Sequence, residues 1–222
     1  MTSTLDARTQ HRRPALDGPT SVVLVGAAVT FNIGGALHPD DTGTGSKVAQ
    51  LHDLLIQGAW WPSHLALLTS FALFTVAFVR LAGRHDLMTS GPRRTVRVMA
   101  VVSALTTVAM VPHLFAPLGA DSIADGRPNL LSAFMTIDET LADAPWAIGI
   151  AVLALVAGVP GDLGNRVTAV VGIVGGVSFA AAAVTIPFTD ALDGLFAVGG
   201  SGITLWTLAV VIVGAWRRRR DG

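Results

Sequence analysis

Four histidines are the residues most able to do chemistry in this chain of 222 residues, which contains no cysteine. They are His38, His52, His64 and His113. A neutral imidazole is the commonest side-chain ligand for a transition metal, and two imidazoles from facing membrane helices can hold a haem iron. His38 ends the first apolar segment, His64 begins the second, and His113 lies a little more than one turn inside the third. His52 lies on a predicted interfacial helix, so we predict that all four meet at one depth of a membrane. They are candidate metal ligands, and His64 and His113 are also candidate haem ligands.

Adjacent acidic residues, Asp138 and Glu139, are the second candidate for chemistry. Glu139 is the only glutamate in the chain. A carboxyl that faces an apolar pocket is favoured in its neutral form, in which it can act as a general acid, so both residues are candidate catalytic groups. The alternative, which is commoner for exposed acidic residues, is that this pair points to water.

Each histidine also has a plainer structural interpretation. For His113 this is a hydrogen bond to Thr30, Asn32 or Ser63 on a neighbouring helix. For His38 it is the polar end of a helix ahead of Pro39, and for His52 and His64 it is solvation near the membrane surface. None of the spacings matches a known ligand motif such as H-x-x-E or two histidines four residues apart. The convergence of all four histidines on one depth, rather than any motif, therefore supports a shared pocket.

The composition indicates a membrane protein. Hydrophobic residues make up 51% of the chain and charged residues only 14%, whereas soluble domains contain about 25% charged residues. This balance argues against a cytosolic enzyme and a disordered chain, and the lack of cysteine excludes a disulfide framework. The formal net charge of +0 also removes the electrostatic argument for binding nucleic acid.

Six segments are apolar for about the 20 residues that a membrane helix needs. They lie near 22–38, 62–80, 97–118, 145–160, 167–187 and 196–216. We predict an all-α polytopic integral membrane protein, in which a transmembrane domain at 21–216 lies between a disordered cytoplasmic tail at 1–20 and a basic tail at 217–222. Six glycines in the last two spans are expected to pack helices closely, namely Gly172, Gly175, Gly176, Gly199, Gly200 and Gly202.

The distribution of charge predicts the orientation of these spans. Lys and Arg are retained on the cytoplasmic side, and thirteen of the fifteen fall in the two tails and in the loops at 80–97 and 162–166. Lys47 and Arg127 lie on the opposite side, together with ten of the fifteen acidic residues. Both termini are therefore predicted to be cytoplasmic, in a multi-pass protein of the plasma membrane with a net charge of +8 inside and −8 outside.

The six spans are expected to form three hairpins that open outward. The first two outer loops are long, and each contains a short amphipathic run, near 48–55 and 130–141, which predicts two outer interfacial helices. Trp60, Trp61 and Trp146 follow these runs at the predicted outer boundary, where amphipathic rings are stable.

Three functions remain open on this evidence. The outer histidines and acids could bind haem or a transition metal for electron transfer or metal handling. They could instead form an enzyme site for a lipid-like or isoprenoid substrate, with acid–base chemistry by histidine and carboxylate. Finally, the protein could be a membrane scaffold or accessory subunit without a site. The partners expected are the lipid bilayer and either a second copy or a membrane partner subunit, with no nucleic acid.

Overall fold

The computed structural model describes residues 16–40, 43–84, 88–127 and 129–220, and in these residues it is all-helical, without strands. The elements are α1 (Gly18–Leu37), α2 (Lys47–Leu55), α3 (Trp60–Gly83), α4 (Ser90–Leu114), a 3-10 turn (Ala116–Gly119), α5 (Ala120–Ala124), α6 (Leu130–Ile137), a π-helical segment (Asp138–Asp143), α7 (Ala144–Gly158), α8 (Arg166–Thr185) and α9 (Gly194–Arg220). Within the same residues, six helical stretches are long and apolar enough to cross a membrane, which confirms that prediction.

The six candidate spans form a closed ring. Each packs against the next along the chain, and α1 also packs against α9. Buried aromatic side chains fill the centre, where the ring of Trp146 lies 4.9 Å from Phe71, 5.3 Å from Phe74 and 5.8 Å from Phe31 between centroids. Large apolar side chains such as Val108 and Ile212 are exposed on the outside of the ring, as expected for a surface that lipid covers.

Glycine allows the backbones of α8 and α9 to touch. A Cβ added at Gly202 would lie 2.5 Å from the Cα of Gly175, and one added at Gly199 would lie 2.5 Å from the backbone nitrogen of Phe179. These distances are shorter than any side chain tolerates, so only glycine fits at the crossing. The predicted packing role is confirmed for five of the six glycines, whereas Gly200 is not crowded, because a Cβ there would lie 3.8 Å from its nearest neighbour, Phe31.

Arginines and their partners gather at one end of the ring, which we call the basic end. There Arg84 donates to Asp17 Oδ2 at 2.6 Å, Arg217 donates to the carbonyls of Gly161 and Gly164, and Arg218 donates to that of Leu16. These contacts join the beginning of α1 to the ends of α3, α7 and α9. The four histidines belong to the opposite end, the acidic end.

The fourth span differs from its prediction. It runs without interruption from Leu130 to Gly158, not from 145 to 160, so the predicted second interfacial helix is the beginning of this span rather than a separate element. The backbone continues through the acids Asp138, Glu139 and Asp143 as a π-helix. A π-helical turn keeps its own backbone hydrogen bonds, so the chain need not leave the helical path.

Short helices cover the acidic end of the ring. Leu55 of α2 and Ile123 of α5 pack on Trp60 in a small apolar cluster of their own. An ion pair from Lys47 to Asp190 ties the beginning of α2 to the connection between α8 and α9. The first predicted interfacial helix therefore exists as α2, and it packs on protein.

Candidate functional site

Three of the four candidate histidines surround one tryptophan at the acidic end. The Trp60 ring stacks on His64 with centroids 3.7 Å apart, and it lies 5.5 Å from His113 and 6.2 Å from His38. The His64 ring is 5.0 Å from His38 and 5.1 Å from His113. The structure therefore places His38, His64 and His113 side by side, which we call the histidine site.

Helix ends bring these side chains together. His38 follows the last residue of α1, His64 lies in the second turn of α3, and His113 lies next to the last residue of α4. Trp60 joins the beginning of α3 to the end of α4, because its Nε1 donates to the carbonyl of Leu114 at 3.2 Å. This carbonyl is one of the groups that the end of a helix leaves without a partner in the helix itself.

All three imidazoles use the same ring nitrogen. The Nδ1 atom of His38 donates to the carbonyl of Pro39 at 3.0 Å, that of His64 donates to the carbonyl of Trp60 at 2.8 Å, and that of His113 donates to Asp138 Oδ2 at 2.8 Å. A carbonyl oxygen only accepts, so the proton of a neutral ring is on Nδ1 and the lone pair is on Nε2. Within the described residues, no Nε2 atom of the three forms a hydrogen bond.

His113 and Asp138 form a buried pair. The two residues are 5% and 0% exposed, and Asp138 lies at the first position of the π-helical segment. Asp138 therefore does not point to water, contrary to the commoner interpretation of its sequence. The partner of His113 is the Asp138 carboxylate and not Thr30, Asn32 or Ser63. The reason is that the π-helical segment, which contains Asp138, belongs to the fourth span and packs on α4.

A third carboxylate, Asp143, joins this region without having been singled out from the sequence. It ends the π-helical segment that Asp138 begins, and the Oδ1 atoms of both residues are buried without a hydrogen-bond partner among the described residues. Residues five apart lie closer to the same side in a π-helix than in an α-helix. A helical periodicity of 3.6 residues thus conceals the relation between Asp138 and Asp143.

His52 lies apart from the histidine site, whereas Glu139 interacts electrostatically with His113. His52 is on α2, where its Nδ1 lies 3.7 Å from the carboxylate of Asp53, and the described ring contacts do not connect it to the other three histidines. Glu139 follows Asp138 on the next position of the π-helical segment, where it is only partly exposed. Trp60 was expected at the membrane boundary, but it is buried between two histidines.

The geometry gives little support to a metal or a haem. Among the described residues, no group of three or more histidines and acids is arranged to hold a metal ion. Two imidazoles on opposite faces of a haem have ring centroids more than roughly 6 Å apart, given metal–nitrogen bonds of about 2 Å. His64 and His113 are closer, at 5.1 Å, and Trp60 packs against both, so no macrocycle fits between them.

What the arrangement offers instead is an oriented base beside acids. His113 has one nitrogen held by a carboxylate and the other without a partner, and Glu139 and Asp143 follow on the same segment. Comparisons with known proteins assign no function to this arrangement, because the chain matches no protein-family model, no curated protein and no solved structure.

Proposed function

We propose that this membrane protein is an acid–base catalyst for a lipid-like or isoprenoid substrate. The observation that carries the proposal is the 2.8 Å hydrogen bond between His113 Nδ1 and Asp138 Oδ2, made by two buried side chains. A histidine that is oriented through one nitrogen and unpaired at the other has the arrangement of a general base. Burying a carboxylate in a membrane span is costly, and such residues usually serve a function.

His113, Asp138 and Glu139 each have a distinct role in this proposal. The Nε2 atom of His113 accepts a proton from the substrate. Asp138 is a positioning residue, because it holds the Nδ1 proton and stabilises the imidazolium that forms. Glu139, in its neutral form, donates a proton to the substrate atom that gains negative charge. Return of the proton from His113 to Glu139 restores both groups, so no net proton is consumed.

An apolar surface beside the acids supports a lipid-like substrate. Large side chains on α6 and the π-helical segment are exposed along one side, namely Leu130, Phe134, Ile137 and Leu141. They are three or four residues apart, so they form one stripe on the exposed side of the same helical stretch that holds Asp138 and Glu139. A substrate with an apolar chain can lie on this stripe with its polar group at His113.

Comparative mass spectrometry of membrane lipids tests this proposal. Cells that express the wild-type chain should contain at least one altered lipid species that is missing with H113Q and reduced with D138N. H52Q is the matched control, because His52 lies apart from the pair, and it should behave as the wild type. Identical lipid profiles for wild type and H113Q, at equal protein levels, would remove the enzyme proposal and leave a scaffold or accessory subunit.

A second candidate function is the binding of a transition metal by the histidine site. One observation favours it: all three Nδ1 atoms donate to oxygen, and histidines that bind metal through Nε2 are usually oriented in this way. The rings would have to move, because their present arrangement does not suit a metal ion. Stoichiometric metal by elemental analysis that is lost in H64A would support this function, whereas metal-free and colourless protein would contradict both metal and haem.

We further propose a location and a topology. The protein crosses the plasma membrane as three hairpins with both termini in the cytoplasm, so the basic end is inside and the histidine site is outside. The predicted tail at 1–20 lies outside the described residues except for 16–20, and the basic segment at 217–220 continues α9. The asymmetry of arginine between the two ends supports this orientation.

A further inference from the structure

We infer that the beginning of α4 binds an anionic phospholipid, with Arg94 and Arg97 at its phosphate and an apolar stripe of the same helix along its acyl chain. This surface lies at the basic end, far along α4 from His113. It is therefore independent of the proposed catalytic function.

Two arginines on this surface have no partner among the residues that the structure describes. Arg94 and Arg97 are exposed and three residues apart, so they lie on one side of α4. In the described part of the chain, neither forms an ion pair or a hydrogen bond, whereas Arg84 and Arg217 both bind protein groups. The first turn of α4 contains no acid, and the carboxylate of Asp162 at this end accepts from Thr89.

An apolar stripe continues from the arginines along the same side of the helix. Val98, Val101, Leu105 and Val108 are 53%, 61%, 63% and 69% exposed. With a rise of 1.5 Å per residue, the helix covers roughly 16 Å from Arg97 to Val108, which is about half of a 30 Å hydrocarbon core. One leaflet's acyl chain has this length.

The two arginines and the apolar stripe together indicate which class of ligand binds to this surface. Two unpaired guanidinium groups are complementary to a phosphate, which they can bind through paired hydrogen bonds. A free phosphate would use the arginines but not the stripe, and a zwitterionic lipid would use the stripe but bring its own cation to the arginines. An anionic phospholipid uses both parts of the surface.

Lipid retention by the purified full-length chain tests the inference. We would add phosphatidylglycerol or phosphatidylcholine of the same acyl chains to delipidated protein in detergent and count bound lipids by native mass spectrometry. The wild type should retain phosphatidylglycerol in preference to phosphatidylcholine. In R94Q/R97Q this affinity should fall about 25-fold, since each basic residue near an anionic lipid surface contributes about fivefold.

Matched variants separate this site from general electrostatic attraction. R166Q/R219Q removes the same charge from exposed positions at the same end and should retain the lipid as the wild type does. R94K/R97K keeps the charge, and its affinity for phosphatidylglycerol should stay within about threefold of the wild-type affinity. Retention by this variant also shows that positions 94 and 97 tolerate substitution. Equal loss in both glutamine variants, equal retention of the two lipids by the wild type, or displacement of phosphatidylglycerol by millimolar inorganic phosphate would each overturn the inference.

Discussion

The chemical properties of His113 depend on the residue with which it pairs. An imidazole in a membrane span is expected to find some polar group, and several were available on neighbouring helices. Its partner is Asp138, which is fully buried and has no other partner for Oδ1 among the described residues. Neither group is satisfied without the other, so the pair acts as one unit in both stability and the proposed catalysis.

This dependence predicts strong coupling between the two residues. H113A should destabilise the protein by about 3 kcal/mol, because it leaves a buried carboxylate without its donor. H113A/D138A should be less destabilised than the sum of the two single variants. Unfolding in detergent, followed for all four proteins of a double-mutant cycle, measures this difference. Additive effects would show that the two side chains do not interact.

Asp17 at the basic end predicts a pH dependence of stability. Its side chain caps α1 by accepting from Thr20 and binds Arg84, and these contacts lower the pKa of the carboxyl from 3.8 to about 2. A lowered pKa means that the stabilisation is complete above pH 3.8 and is lost as pH falls toward 2.

The variant D17A should therefore be less stable than the wild type by about 1 kcal/mol at pH 7, the usual contribution of an N-cap. This difference should shrink as pH is lowered from 4 to 2, which thermal unfolding in detergent would measure. D17N is the control, because asparagine can still cap the helix but carries no charge for Arg84. A difference between D17A and wild type that stays constant down to pH 2 would contradict the assignment.

At the scale of elements, the path of the fourth span determines which side chains meet at the histidine site. Its π-helical segment carries three acids into the bundle while the helix continues, so that Asp138 reaches His113 on α4. Had the segment at 130–141 formed a separate interfacial helix, as the sequence predicts, Asp138 and Glu139 would lie at the membrane surface. Helix ends supply the rest, since His38, Trp60 and Leu114 meet where α1, α3 and α4 begin or end.

The crossing of α8 and α9 predicts a sharp contrast between two neighbouring glycines. G202A should destabilise the protein by about 1–3 kcal/mol, because the new Cβ would lie 2.5 Å from the Cα of Gly175. G200A should be neutral or slightly stabilising, because its Cβ would lie 3.8 Å from the Phe31 ring and alanine favours the helix. Thermal unfolding of both variants in detergent measures the contrast, and equal stabilities would show that the helices do not cross at Gly202.

At the scale of the whole molecule, the two ends of the ring have opposite chemical character. One end holds arginines that bind loop carbonyls and helix caps, and the other holds histidines, acids and a cover of short helices. This separation places the proposed catalytic site and the proposed lipid site in different leaflets. Neither site can then affect the other through direct contact.

Cysteine labelling tests the orientation of the molecule. The chain has no cysteine, so single replacements can be made without a background. S46C, at the acidic end, should react with a membrane-impermeant maleimide in intact cells, whereas S90C, at the basic end, should react only after permeabilisation. Both serines are exposed. The reverse pattern would place both termini outside and invert the proposed location of the two sites.

The sequence by itself determined the parts of this protein that depend on composition. Hydrophobic length predicts the six spans, the separation of arginine from acid predicts opposite ends, and glycine predicts the close contact of α8 and α9, because each depends on a local property of the chain. It also predicted that four histidines converge, and the structure brings three of them together, namely His38, His64 and His113.

Only the tertiary structure decided how those residues pair. Asp138 is buried against His113, His52 lies apart, and Trp60 is the centre of the histidine site rather than a membrane anchor. These pairings depend on a π-helical segment and on the side of each helix that faces its neighbour. The wider turn of the π-helical segment brings Asp143 closer to the side of Asp138, and no pattern of hydrophobicity records that change.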